Sequence, residues 1–308
     1  MNGFLEFLFG LTIACVVFVL IKYGLMMLQL ILSVFGICKK ETRLGLEFIT
    51  QNMAAENIIP ISIIIPVYND EERVIEAIEA IRKIAYPQIE YIIVNDGSTD
   101  ATHALITRHF ALDKIEGAIK TSIKTTRITN MYYSLKYPDI IYADKLHAGF
   151  ADTLNCGINI SKFPMYAVMP LGCTIEPEAL LLLSGTFLKN STSVLSGAMT
   201  AIAENPRGGS KKAFIKESLD CVNHFKYDNF NRFTYDSIYI DTSFFAIFNK
   251  QLVIDCGGYD VDAINPYEAL IANMRRFLSR NNRKYSFHTN QNIQCNAAAK
   301  QTTKQLLR

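Results

Sequence analysis

From Phe4 to Cys38 the sequence is apolar almost throughout, with charge only at Glu6 and Lys22. Such a run predicts one long helix, because roughly 20 apolar residues rising about 1.5 Å each suffice to cross the hydrocarbon of a bilayer. Lys39, Lys40 and Arg43 follow it and no basic residue precedes it, so the expectation is a single-pass membrane anchor with the rest of the chain in the cytosol. After a mixed, polar stretch the pattern changes to short β-branched runs separated by helical periods. Ile61 to Ile65 reads as a buried strand, and Glu71 to Ile84 as a helix with Val74, Ile75, Ile78 and Ile81 on one face. Tyr86-Pro87 stops that helix. Ile89 to Val94 reads as a second strand, Asn95-Asp96-Gly97 as a turn, and Ser98-Thr99-Asp100 as the cap of a helix reaching about Phe110.

Strand, helix, strand, helix in this order predicts right-handed βαβ units and a mostly parallel sheet of Rossmann type, with a ligand at the carboxyl ends of the strands. Leu112 to Pro138 has no clear period and stays unassigned. Beyond it the pattern predicts strands at Ile140 to Ala143, Met165 to Met169, Val194 to Ala203, Ile238 to Phe248 and Lys284 to His288. Helices are predicted at Ala151 to Ile160, Pro177 to Leu188, Lys211 to Phe230 and Glu268 to Ser279. The organisation expected is an anchor over residues 1–40, a linker over 41–60, an α/β domain over 61–290 and a basic tail over 291–308.

Composition adds little to this. The seven cysteines are scattered without a C-x-x-C pair, as expected of reduced thiols or core fillers rather than a disulfide frame or a zinc site. The formal net charge is +2, yet Ala269 to Arg308 holds no acidic residue and several Lys and Arg. Such a stretch predicts contact with anionic membrane lipid. Nucleic acid is not expected as a partner, since the aromatics of a base-stacking platform are sparse there.

Two blocks carry a more specific signal. Ile61-Ser62-Ile63-Ile64-Ile65-Pro66-Val67-Tyr68-Asn69-Asp70-Glu71 is followed by Ile89-Glu90-Tyr91-Ile92-Ile93-Val94-Asn95-Asp96-Gly97-Ser98-Thr99-Asp100. Together they closely resemble the opening of family 2 glycosyltransferases, although Asn95 to Ser98 also serves as a strand-to-helix turn with its cap. Gly149 to Asn155 with Gly157 resembles the family's Gly-Lys-Ala-x-Ala-Leu-Asn segment, and Gly257-Gly258-Tyr259-Asp260 its Gly-Gly-Phe-Asp turn. The resemblance implies a GT-A-like fold for nucleotide-diphospho-sugars, akin to the synthases of poly-N-acetylglucosamine or hyaluronan. It further implies a UDP or UDP-sugar mouth at Pro66, Tyr68, Asp70, Asp96 and Ser98, with the Tyr68 ring packed on the base and the Asp96 carboxylate accepting from its edge.

The same resemblance exposes gaps. Where the family holds its metal on Asp-x-Asp, this chain has Leu171-Gly172-Cys173, and hydrocarbon and thiol are poor ligands for Mg²⁺ or Mn²⁺. Where the family has Thr-Glu-Asp, with the Asp as general base, stand Asn265-Pro266-Tyr267. The lysine expected near the diphosphate is Phe150, and a Gln-x-x-Arg-Trp segment is absent. The expectation is a catalytically impaired or inactive relative without a cofactor, acting as an accessory subunit beside an active membrane synthase. The alternatives are an active transferase using Mg²⁺ or Mn²⁺ on rearranged ligands drawn from Glu176, Asp241, Asp255, Asp260, Asp262 or Glu268, and a membrane-surface or polynucleotide-binding module.

Overall fold

The computed structural model describes residues 2–39, 58–115, 121–176, 178–189, 193–202 and 245–297. The expected helix Lys211 to Phe230, the start of the strand expected from Ile238, most of the linker and the end of the tail lie outside them.

The chain divides into two units. In the first, helix α1 (Asn2–Lys39) forms as the apolar run predicts. Among the described residues, however, no helix is long and apolar enough to cross a membrane. α1 also carries Lys22 near its middle, and a charge at the centre of a bilayer is costly. The expected single-pass anchor, and with it the placement at the cell membrane with a cytosolic body, is therefore corrected.

The second unit holds one ten-stranded sheet. Its elements run β1 (Ile61–Val67), α2 (Val74–Arg82), β2 (Ile89–Asn95), α3 (Thr102–His109), β3 (Leu112–Ile115), β4 (Ile128–Ser134), β5 (Ile140–Lys145), α4 (Phe150–Ile160), β6 (Met165–Val168), β7 (Thr174–Ile175), α5 (Ala179–Lys189), β8 (Ser193–Ile202), β9 (Ala246–Asn249), α6 (Lys250–Asp255), α7 (Pro266–Arg280) and β10 (Ser286–Ala297). The spatial order is β3-β4-β5-β2-β1-β6-β9-β8-β10-β7. β5, β2, β1 and β6 are mutually parallel, as the βαβ reading requires. Antiparallel pairs flank them: β3 with β4, β4 with β5, and β9 with both β6 and β8. The sheet thus has the expected parallel centre within a mixed whole, and its antiparallel β3-β4 edge comes from the stretch that had no readable period.

The β-branched runs are central because both faces are covered. Ile61, Ile63, Ile64, Ile65, Ile92, Ile93 and Val94 are all buried. α4 lies closest of the helices to this centre, with nearly every residue buried. Gly157 permits that approach, since a Cβ there would meet the Ile64 side chain at 2.5 Å. At about 25 cal/mol per Å² of apolar surface, this double layer is the main source of the domain's cohesion. It holds the carboxyl ends of β1, β2, β5 and β6 at one rim.

Candidate active site

The rim begins where β1 and β2 end in register, Val67 opposite Asn95, so that Tyr68 and Asp96 emerge side by side. Asp96 N donates to Val67 O at 2.9 Å. The two loops are then laced together: Asn69 N donates to Ser98 Oγ at 2.9 Å, Thr99 N to Asn69 Oδ1 at 2.8 Å, and Asp70 N to Thr102 Oγ1 at 3.0 Å. Asn69 accepts a left-handed φ of 46° and Gly97 one of 66° to make these turns. Of the five residues expected in the mouth, Tyr68 and Asp96 face a common space. Pro66 lies within β1 opposite Val94. Asp70 is engaged by both guanidinium contacts of Arg73, at 3.0 and 2.9 Å, and Ser98 donates to Asn95 Oδ1 at 2.5 Å.

Asp96 is the buried hub of the rim. Its Oδ1 meets the Lys145 ammonium in a very short contact and accepts from Ala148 N at 3.0 Å. Its Oδ2 accepts from Gly149 N at 2.8 Å and lies 2.9 Å from His147 Nδ1. Lys145 is fully buried; it also donates to Leu146 O at 2.9 Å and forms an ion pair with Asp152 Oδ2 at 2.9 Å. An ammonium so enclosed stays charged because two carboxylates and a carbonyl surround it. Neither Lys145 nor His147 stood out in the sequence. The signal for Lys145 was a pair of charged residues, Asp144 and Lys145, ending a strand that begins apolar, and Asn95 pairs with Asp144 in the register that brings this strand end to Asp96.

Farther along the rim lie the positions where the resemblance expects catalysis. Gly172 turns the chain after β6 with φ of 82°, and Cys173 is buried behind it. Leu171, Gly172 and Cys173 do not fit a hard divalent cation: they present no carboxylate oxygen. Phe150 opens α4, and its ring centroid lies 6.2 Å from that of Tyr267 in the first turn of α7. Asn265 caps α7, accepting from Tyr267 N at 3.2 Å and Glu268 N at 3.4 Å, with Pro266 following it. Tyr267 in turn packs edge-on to Tyr259 at 5.5 Å, and the Tyr166 hydroxyl donates to that of Tyr259 at 3.2 Å. Burial pushes the Tyr267 phenol well above its ordinary pKa, with Tyr259 and then Cys173 adding to the effect. Phe150, Tyr267 and Tyr259 are therefore neighbours in one aromatic cluster.

The Gly257-Gly258 turn is fastened beside this cluster by Asn155, which accepts from Tyr259 N and donates to Tyr259 O, both at 2.8 Å. A Cβ on Gly258 would meet Asn155 Oδ1 at 2.6 Å, so the close clamp requires glycine. The substitute carboxylates do not converge. Asp255 accepts from Gln251, Asp260 accepts from Asp262 N within its own turn, and Asp241 lies outside the described residues. Among the described residues no group of three His, Cys, Asp or Glu is poised to hold a metal ion.

A family model for glycosyl transferase family 2 matches residues 62–257. The poly-beta-1,6-N-acetyl-D-glucosamine synthase of Staphylococcus epidermidis is 23% identical over 207 residues, covering 66% of this chain and 43% of that protein. The chain thus spans less than half the length of this relative. Among solved structures, the mannosyltransferase PcManGT of Pyrobaculum calidifontis, in complex with GDP-Man and Mn²⁺, superposes with a TM-score of 0.54 at 15% identity, covering 88% of this chain and 70% of the other. S. aureus TarS 1-349 in complex with UDP-GlcNAc gives a TM-score of 0.52 at 13% identity, covering 81% and 61%. These superpositions establish the GT-A-like fold.

Proposed function

Because this chain belongs to glycosyl transferase family 2, we propose that it keeps a nucleotide-sugar mouth but has lost the transfer centre, and serves as an accessory or scaffold subunit in cell-surface polysaccharide synthesis. The observation that carries this reading is the packing of the Phe150 ring against that of Tyr267. They occupy the positions where the resemblance expects the diphosphate lysine and the general base, and Cys173 stands buried where it expects a metal ligand, so three charged groups with separate roles in transfer are replaced. A leaving diphosphate needs a cation held by hard oxygens, and the acceptor hydroxyl needs a base within hydrogen-bond reach. An aromatic cluster supplies neither.

UDP or a UDP-sugar is the ligand that suits the mouth, with Tyr68 offering a ring face and Asp96 an acceptor. The partner in this reading is an active synthase. Calorimetric titration of the full chain with UDP, with and without Mn²⁺, tests it. Binding that Mn²⁺ leaves unchanged supports a mouth without a metal centre. Binding that requires Mn²⁺ would overturn it.

A further inference from the structure

The Tyr68 ring is not simply open to solvent. The imidazole of His147 stacks on it, with ring centroids 4.5 Å apart and planes inclined by 24°. The Nδ1 of the same imidazole lies 2.9 Å from Asp96 Oδ2 and 3.1 Å from Asp96 O. One flat nitrogen ring therefore makes both contacts that the proposed base would make. Resting on the reading of Tyr68 and Asp96 as the base mouth, we propose that His147 is a built-in substitute for the nucleobase, a plug that must swing out before a nucleoside diphosphate can bind.

The count of acceptor sites supports this. A carboxylate offers about four hydrogen-bond positions; Asp96 fills three of them with Lys145, Ala148 N and Gly149 N, and His147 Nδ1 stands 2.9 Å from Oδ2 where a fourth partner would come. Two of these partners are backbone groups and the third is a fully buried ammonium, so releasing any of them would dismantle the strand end. His147 is the exchangeable one: 52% of its side chain is exposed, against none of Lys145.

The backbone beneath the plug is held in place. A Cβ on Gly97 would meet His147 N at 2.8 Å and Lys145 O at 3.1 Å, so the turn and the loop touch directly. Rotation about the His147 side-chain bonds is then the economical way to open the mouth. It uncovers a face of Tyr68 and an oxygen of Asp96 in one movement. In the Nδ1–H tautomer the plug donates its ring N–H to the Asp96 carbonyl, with Oδ2 of the same residue beside that nitrogen. The base it imitates is one with a ring N–H of its own, such as uracil at N3.

Titration of the full chain with UDP distinguishes the outcomes, using the wild type, His147→Ala, Tyr68→Ala and the double variant. Folding of each is checked by thermal melt, and His147→Gln, which loses the stacking ring, serves if the alanine variant fails to fold. The apparent affinity of a site scales with the fraction of molecules that are open, so removing the plug should tighten UDP binding roughly tenfold or more. The gain should vanish when Tyr68 is also removed. Unchanged or weaker binding by folded His147→Ala overturns the plug, and if the wild type still binds through Tyr68 the base mouth survives that failure. UDP binding indifferent to Tyr68 overturns the mouth and the plug together, as does an absence of binding in every variant.

Discussion

Phe150 and Tyr267 stand 117 positions apart in the chain, yet their rings meet with centroids 6.2 Å apart, at the place where a transferase of this family is expected to hold a diphosphate and activate an acceptor. Their contact turns two separate losses of charge into one piece of hydrophobic packing. The two rings differ in burial, Tyr267 at 2% exposure and Phe150 at 40%. Truncating a fully buried aromatic to alanine costs about 3–5 kcal/mol, whereas a half-exposed one returns a fraction of that. Tyr267→Ala should therefore lower the urea midpoint severely and Phe150→Ala only mildly, by about 1 kcal/mol. Equal, small effects would mean that the cluster is not a packed unit.

Returning one ligand should not return the metal. Cys173→Asp places a carboxylate in a buried, apolar setting, which costs several kcal/mol unless a cation or hydrogen-bond partner compensates. The variant should melt lower than the wild type, and Mn²⁺ should not restore its melting temperature. Recovery on adding Mn²⁺ would reveal oxygen ligands outside the loop of Leu171 to Cys173.

The Asn155 clamp should be as sensitive as a core position. Asn155→Ala removes two hydrogen bonds and leaves the buried N–H and C=O of Tyr259 without them, a loss of about 2–4 kcal/mol readable by denaturant titration. Asn155→Asp retains the acceptor for Tyr259 N but not the donor, so it should be less stable than the wild type.

Much of this architecture was legible in the sequence because its central layer is chemically uniform. β1 and β2 are β-branched runs with turn residues at their ends, and the Gly149 to Asn155 segment announced α4. β3 and β4 were not legible: Ile128 to Ser134 is a half-exposed strand, one in from the sheet edge, whose Thr, Asn and Tyr residues break any clean alternation. The apolar run of α1 predicted its helix correctly but overstated what the described residues support about a membrane. In the site, Cys173, Phe150 and Tyr267 could each be recognised as a departure, while the meeting of Phe150 and Tyr267 depends on how α4 and α7 converge. His147 gave no signal, because a lone histidine in a loop has no period. Its role depends on the register that sets the end of β5 beside Asp96.

Alkaline stability follows from the buried phenols. Burial raises Tyr91 to about 12, with Asp139 contributing and Arg82 opposing, and holds Tyr259 and Tyr267 well above the ordinary value. A phenol whose folded pKa is raised contributes stability that is complete below the unfolded value near 10 and is lost as pH rises toward the folded value. The phenol contribution to unfolding free energy should be level between about pH 7 and pH 9. It should then fall from about pH 10 by ~1.4 kcal/mol per pH unit for each phenol kept protonated. A flat profile to pH 12 would contradict the burial of these rings.

The most direct test of a silent transfer centre is release of UDP from UDP-sugars by the full chain with Mn²⁺ present, read against a matched blank. A silent centre gives no release above that blank, with or without an added acceptor, while UDP itself still binds through Tyr68. Sustained, Mn²⁺-dependent release that purifies with the protein would contradict it.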